Sequence, residues 1–122
     1  ITPRVDISAL DVKATPEEIK ELLLMEGYSR IPVYEESIDN IIGILLSRDY
    51  LRCLITGEPV ELIEMLAEPM FVHRTMKLSQ LLAKLRASNT HLAVVTDDYG
   101  GTFGIVTMED LLEELVGALD VD

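Results

Sequence analysis

A single cysteine, Cys53, leaves this chain without a partner for an internal disulfide, and a reducing compartment is the natural setting for such a sequence. Placed among apolar residues after Asp49, Cys53 reads as a buried, inert thiol. Long apolar runs are missing as well. None approaches the ~20 residues of a membrane-spanning helix, and no secretory signal is visible. Cations are scarce: 10 Lys and Arg stand against 22 Asp and Glu, a formal net charge of −12, and none occurs after Arg86. Over that last stretch come Asp97, Asp98, Glu109, Asp110, Glu113, Glu114, Asp120 and Asp122. Nucleic acid and anionic membrane surfaces both need clustered cations, so neither is a surface partner. Constellations for catalysis are missing too. His73 and His91 have no Cys or His at metal-ligand spacing, and no Ser-His-Asp or Cys-His arrangement is defensible. Gly100-Gly101-Thr102-Phe103-Gly104 lacks the spacing of a dinucleotide fingerprint.

What the chain does have is apolar content, 48% of 122 residues, enough for a real core. Thr15-Pro16-Glu17-Glu18 announces a helix, with Thr15 as N-cap, Pro16 in the first helical position and Glu18 closing a capping box. Ile19, Leu22 and Leu23 carry it to Gly27, a C-terminal stop. Ser29-Arg30-Ile31-Pro32-Val33-Tyr34 reads as a short strand. A bend at Asp39-Asn40 leads to a buried strand, Ile41-Ile42-Gly43-Ile44-Leu45-Leu46, and Ser47-Arg48-Asp49 opens a second helix. Thr56-Gly57-Glu58-Pro59 breaks the chain, and a short linking segment runs from Val60 to Ala67. A strand restarts at Met70-Phe71-Val72. Residues 77–87 form a helix with a Leu78, Leu81, Leu82 and Leu85 stripe. Leu92-Ala93-Val94-Val95 and Phe103 to Val106 form a hairpin across Asp97-Asp98-Tyr99-Gly100-Gly101. The closing stretch, Gly104-Ile105-Val106-Thr107-Met108-Glu109-Asp110, turns from strand to helix with the Thr-x-x-Asp signature of a helix start. Backbone N–H groups at such a junction are a docking point for an anion. Leu54, Ile55, Leu115 and Val116 read as core or dimer interface, with core the first choice.

The two halves repeat. A shift of 61 residues pairs Ser29 with Thr90, Arg30 with His91, Val33 with Val94, Gly43 with Gly104, Ile44 with Ile105, Asp49 with Asp110 and Leu54 with Leu115. The first repeat is placed at residues 1–57, a linker at 58–67 and the second repeat at 68–122. The fold class is α/β (α+β), each repeat β-α-β-β-α. A repeat of about 60 residues is marginal alone, so the two are expected to pack as a pseudo-twofold pair with a ligand cleft between them.

At this point the residues resemble a CBS-domain pair, or Bateman module, each half ending in hydrophobic-Gly-hydrophobic-x-[Ser/Thr]-x-x-Asp. The chain is most similar to the CorC/HlyC-like family, hemolysin-related magnesium and cobalt efflux-type proteins akin to the cyclin M transporters. Thr2-Pro3-Arg4, Gly27 through Tyr34, Asp97 through Thr102 and Gly104 through Gly117 carry the likeness. The resemblance implies a cytoplasmic module beside a membrane domain that is absent here, at the cytoplasmic face of the inner membrane. It also implies homodimerisation and binding of an adenine nucleotide, ATP with Mg²⁺ or AMP. The opening Ile1-Thr2-Pro3-Arg4 fits a piece cut from such a longer protein.

Under this resemblance Thr107 meets the phosphate or ribose and Asp110 accepts from the ribose hydroxyls, a carboxylate offering acceptors to two adjacent O–H donors. Helix capping alone also accounts for that pair's spacing. The first half keeps Asp49 but has Leu46 where Thr107 stands, with Ser47 one place late, so one nucleotide site is expected. The acidic second half needs a cation from elsewhere to hold a polyphosphate, and Arg30 offers a planar fork for it. Tyr28, Ser29, Arg30, Ile31 and Pro32 from one half, with Val106, Thr107 and Asp110 from the other, form the expected composite site. Ile31, Pro32 and Val106 serve as apolar walls and Thr15 borders the pocket. No catalytic or metal-ligating residue is assigned. The functional expectation is a non-enzymatic, nucleotide-sensing regulatory module. The alternatives are a dimerisation or interaction module with a vestigial cleft, or a direct divalent-cation sensor using the Glu109, Glu113 and Glu114 face.

Overall fold

The computed structural model describes residues 1–59 and 61–119; Val60, Asp120 and Asp122, named above, lie outside them. Strand β1 (Thr2–Pro3) and a 3-10 turn (Arg4–Asp6) come first. The β-α-β-β-α order then appears twice. The first pass is β2 (Leu10–Asp11), α1 (Pro16–Glu26), β3 (Arg30–Tyr34), β4 (Ile41–Leu46) and α2 (Ser47–Thr56). A short helix α3 (Leu62–Met65) intervenes. The second pass is β5 (Met70–His73), α4 (Leu78–Ala87), β6 (Leu92–Thr96), β7 (Thr102–Thr107) and α5 (Met108–Leu119). One compact unit is contiguous, Ser8–Pro69, while the other joins Ile1–Ile7 to the chain from Met70 onward.

In the contiguous unit the sheet order is β2-β3-β4. β2 and β3 are parallel, joined by the α1 crossover, and β3 and β4 form an antiparallel hairpin. Helix α1 starts as its sequence dictates. The Thr15 hydroxyl accepts from the Glu18 N–H at 3.2 Å, and the Glu18 carboxylate accepts from the Thr15 N–H at 3.1 Å. It ends at Gly27 with φ of 67°, a conformation that costs a Cβ-bearing residue. Leu10, Ile19, Leu23, Ile31, Val33, Leu45 and Tyr50 form the core, the larger aliphatics contributing roughly 1.5–3 kcal/mol each by leaving water. The Tyr50 phenol is held above its usual pKa by burial first and then by the nearby Glu17 charge.

The other unit repeats this scheme in the sheet β1-β7-β6-β5, with a core of Val72, Leu85, Ala93, Val95, Val106 and Leu111. The correspondence is positional, but the constant shift of 61 fails before the hairpin turns. Val33 lies opposite Gly43, and Val95, not Val94, lies opposite Gly104. Thr15 and Lys77 precede the equivalent helices α1 and α4. The offset is therefore 62 up to the hairpin and 61 after it. The early turn has six residues, 35–40, and the late one five, 97–101. In the tighter turn the Asp97 carboxylate accepts from the N–H groups of Tyr99 and Gly101, both at 2.9 Å. Arg30 thus corresponds to Leu92 rather than His91, and Ser29 to His91 rather than Thr90.

Each Gly-Ile strand has its outer edge covered. Thr2 and Pro3 of β1 pair antiparallel with Ile105 and Gly104. In the contiguous unit Ala67 does the same job, exchanging two backbone hydrogen bonds of 2.9 Å with Ile44. The covering chain runs so close that a Cβ on Gly104 would lie 2.5 Å from the Thr2 carbonyl oxygen, and one on Gly43 2.5 Å from Leu66 Cβ. The repeated glycine is thus a condition for closing the sheet edge.

Burial at four positions departs from a core placement. Cys53 is half-buried rather than buried. Leu54 and Ile55 are 41% and 86% exposed and Val116 is 65% exposed, because α2 turns Tyr50, and α5 turns Leu111, toward the sheet. Leu115 is half-buried.

Candidate functional site

The strand-to-helix junction at the end of β7 is built by two bonds. The Met108 N–H donates to the His91 carbonyl at 2.9 Å, fastening the helix start to β6. The Asp110 N–H donates to Thr107 Oγ1 at 3.2 Å, which satisfies one of the orphan donors of the first turn. Thr107 and Asp110 are both half-buried, and Val106 behind them is core. Glu109 and Asp110 lie in the first turn, where carboxylates complement the helix dipole. This end is therefore already compensated by negative charge, and it suits hydroxyl donors better than additional anions. A recess of about 310 Å³ lies beside it, lined by Ile1, Thr2, Asp110, Glu113 and Glu114. The edge-covering strand β1 thus forms one of its walls.

The equivalent junction in the contiguous unit is chemically different. The Ser47 N–H donates to the Ser29 carbonyl at 3.0 Å, matching the Met108–His91 bond. But Leu46 takes the place of Thr107, and α2 has no side-chain cap bond. The Ser47 hydroxyl turns instead to the same Ser29 carbonyl, at 3.3 Å. Asp49 sits in this first turn with Arg48 Nε 3.8 Å from its carboxylate.

Of the remaining sequence-derived candidates, Tyr28 and Ser29 are exposed, Arg30 is half-buried at the start of β3, and Ile31 and Pro32 are buried. Thr15 is committed to its capping box. Thr15, Tyr28, Ser29, Arg30, Ile31 and Pro32 therefore fall in the contiguous unit, and Val106, Thr107 and Asp110 in the other. Among the described residues no three His, Cys, Asp or Glu side chains are grouped as metal ligands. Among them, too, no helix is long and apolar enough to cross a membrane.

One polar cluster escaped sequence reasoning. His73, at the end of β5, contacts Thr75 Oγ1 at 2.7 Å through Nδ1 and Asp98 at 3.0 Å through Nε2. Arg74 donates to the other Asp98 oxygen at 3.0 Å. The Arg74 hydrogen bond and charge, with lesser help from His73, hold the Asp98 carboxyl below the usual carboxylate range. Asp98 lies 25 residues from His73, and only the parallel β5–β6 register brings them together, so spacing gave no signal. The cluster fastens the late hairpin turn to the start of the α4 region.

Comparison with known proteins finds the same pattern twice along the chain. The CBS domain pattern matches residues 3–56 and again 60–117. A hemolysin C homologue of Rickettsia massiliae is 38% identical over 121 residues, covering 98% of this chain and 40% of that protein. A UPF0053 protein of Synechocystis is 39% identical over 122 residues, covering all of this chain and 27% of that one. The chain thus spans less than half the length of these relatives. Among solved structures, the CBS domain of a bacterial CNNM/CorC family Mg²⁺ transporter in complex with ATP is 39% identical, with a TM-score of 0.86 over 96% of this chain and 84% of that one. A CBS-domain pair with bound AMP from Klebsiella pneumoniae is 31% identical, with a TM-score of 0.81 over 96% and 94%.

Proposed function

The chain belongs to the CBS-domain family, as a tandem pair of the hemolysin C and CorC/CNNM kind, and from that premise we propose that it is a non-catalytic regulatory module that binds an adenine nucleotide, ATP with Mg²⁺ or AMP. In this reading it serves a membrane-associated magnesium or cobalt efflux-type protein, on the cytoplasmic face. The observation that carries the proposal is the asymmetry of the two helix starts. One has a threonine hydroxyl and an aspartate in its first turn, Thr107 and Asp110; the other has Leu46 in place of the threonine. The solved ATP and AMP complexes of similar domains support adenine nucleotide as the ligand class.

The residues assigned to the ligand are Thr15, Tyr28, Ser29, Arg30, Ile31, Pro32, Val106, Thr107 and Asp110. Asp110 receives the ribose hydroxyls, Arg30 supplies the cation that the acidic late half lacks, and Ile31, Pro32 and Val106, whose side chains are buried, serve the base through their backbone groups. To regulate, the nucleotide must bind two arrangements of the module with different affinity, since equal affinity shifts nothing. The test is calorimetry with ATP, ADP, AMP and S-adenosylmethionine, each with and without Mg²⁺. Asp110→Ala and Arg30→Ala should each weaken binding at least tenfold and Asp49→Ala less than twofold. Equal loss from Asp49→Ala would move the ligand to the other helix start, and no heat with any nucleotide would refute the reading.

A second reading, homodimerisation, has its own observation. Leu51, Leu54 and Ile55 on α2 correspond to Leu112, Leu115 and Val116 on α5. All but Leu115 are more than 40% exposed. Two matching i, i+3, i+4 apolar stripes are the pattern of helices that pack on a partner, and a second copy supplies the same pair. Ile55→Glu with Val116→Glu should convert a dimer to a monomer in sedimentation; an unchanged sedimentation coefficient would dismiss this surface as the contact.

A further inference from the structure

Within the contiguous unit, α1 and the edge strand β2 enclose a groove of about 390 Å³ that the nucleotide reading does not use. Leu22, Met25 and the Tyr34 ring give it apolar surface, and Asp11, Glu18, Glu21 and Glu26 line it with carboxylates. No Lys, Arg or His is among its lining residues. Two of the acids are held in place: Glu18 accepts from the Thr15 N–H at 3.1 Å and Asp11 from the Lys13 N–H at 2.9 Å. Met25, on the exposed side of α1, is 76% exposed, an adaptable thioether suited to packing on an incoming side chain.

We infer that this groove docks an extended basic segment of a partner polypeptide, one that alternates Lys or Arg with an apolar residue. Charge decides the occupant. Four carboxylates repel nucleotides, nucleic acid and anionic lipid alike, whereas the stem of a lysine or arginine covers apolar surface while its head reaches an acid. An extended form fits because β2, only two residues long, ends the sheet order β2-β3-β4, and alternation along a strand puts apolar and charged side chains on opposite sides. The inference stands apart from the nucleotide site and does not depend on it.

The test is fluorescence anisotropy with a labelled Lys-Leu-Lys-Leu-Lys peptide, backed by amide shift mapping. Wild-type protein should bind it, with shifts confined to residues 9–14, 18–26 and 34. Glu21→Lys with Glu26→Lys should weaken binding at least tenfold, and Met25→Ser severalfold. Glu113→Lys with Glu114→Lys, an equal change of charge on α5, should leave it within twofold. Any of four results would overturn the inference: no binding, equal weakening by both charge reversals, equal affinity for a Lys-Ser-Lys-Ser-Lys peptide, or the same amide shifts from spermidine. Altered sedimentation of the Glu21→Lys, Glu26→Lys protein without peptide would also overturn it, by making the groove a contact between copies.

Discussion

Gly104→Ala tests whether the covered sheet edge is what requires glycine. The added methyl would sit 2.5 Å from the Thr2 carbonyl oxygen and 3.3 Å from Ile1 Cγ1. A backbone carbonyl in a strand cannot rotate away as a side-chain tip can, so β1 must shift or detach. Overpacking of this kind costs about 1–3 kcal/mol. For a domain of this size each kcal/mol lowers Tm by roughly 3–5 °C, so a drop of about 3–15 °C is expected. The same substitution in a chain lacking residues 1–3 has no carbonyl to meet. Its cost there should vanish or reverse, since alanine orders a strand more cheaply than glycine by roughly 0.5–1 kcal/mol. Four proteins measured by denaturant unfolding complete the cycle. Amide exchange should accelerate at Ile105 in the variant that keeps residues 1–3. If Gly104→Ala costs the same with and without residues 1–3, the close approach of β1 is not the reason for the glycine.

Other outcomes follow from the helix starts and the hairpin. Thr107→Val removes the acceptor for the Asp110 N–H and should cost about 1 kcal/mol in chemical denaturation. Leu46→Thr supplies a missing acceptor to α2 and should raise stability by up to about 1 kcal/mol in the same assay. Asp98→Asn should lower Tm slightly at pH 7 and not at all at low pH. The Asp98 pKa is depressed in the folded state, so its contribution is full above the unfolded carboxylate pKa of about 3.9 and disappears as pH falls through the lower folded value. Thermal melts of both proteins from pH 2 to pH 7 should therefore converge on the acid side; divergence there would contradict the Arg74–Asp98 attachment.

Much of this architecture was legible from local chemistry. Thr15, Pro16 and Glu18 mark the start of α1 because a capping box needs only four consecutive residues. The Gly-Ile strands and the acids at the following helix starts revealed the repeat. The offset error came from the hairpins: periodicity cannot count turn residues, and one residue less in 97–101 moved every earlier pairing by one place. For Leu54, Ile55 and Val116 the sequence does not separate core from interface, because an apolar stripe looks the same whether it faces its own sheet or solvent. The pairing of β1 with β7 joins residues about a hundred positions apart, and nothing in Thr2-Pro3 announces it. At the candidate site, Thr107 and Asp110 were visible as a pair because they share one helical turn. The His73, Arg74 and Asp98 cluster was not, because strand register alone makes it.

The inserted position of one unit inside the other has a consequence for biosynthesis. Residues 8–69 include every strand and helix of their own core, so this unit can close while the ribosome is still at work. Residues 1–7 emerge before the contiguous unit yet belong to the one completed after it. Strand β1 must stay unpaired until β7 follows it out, and the long loop that its pairing closes is of the slow, non-local kind.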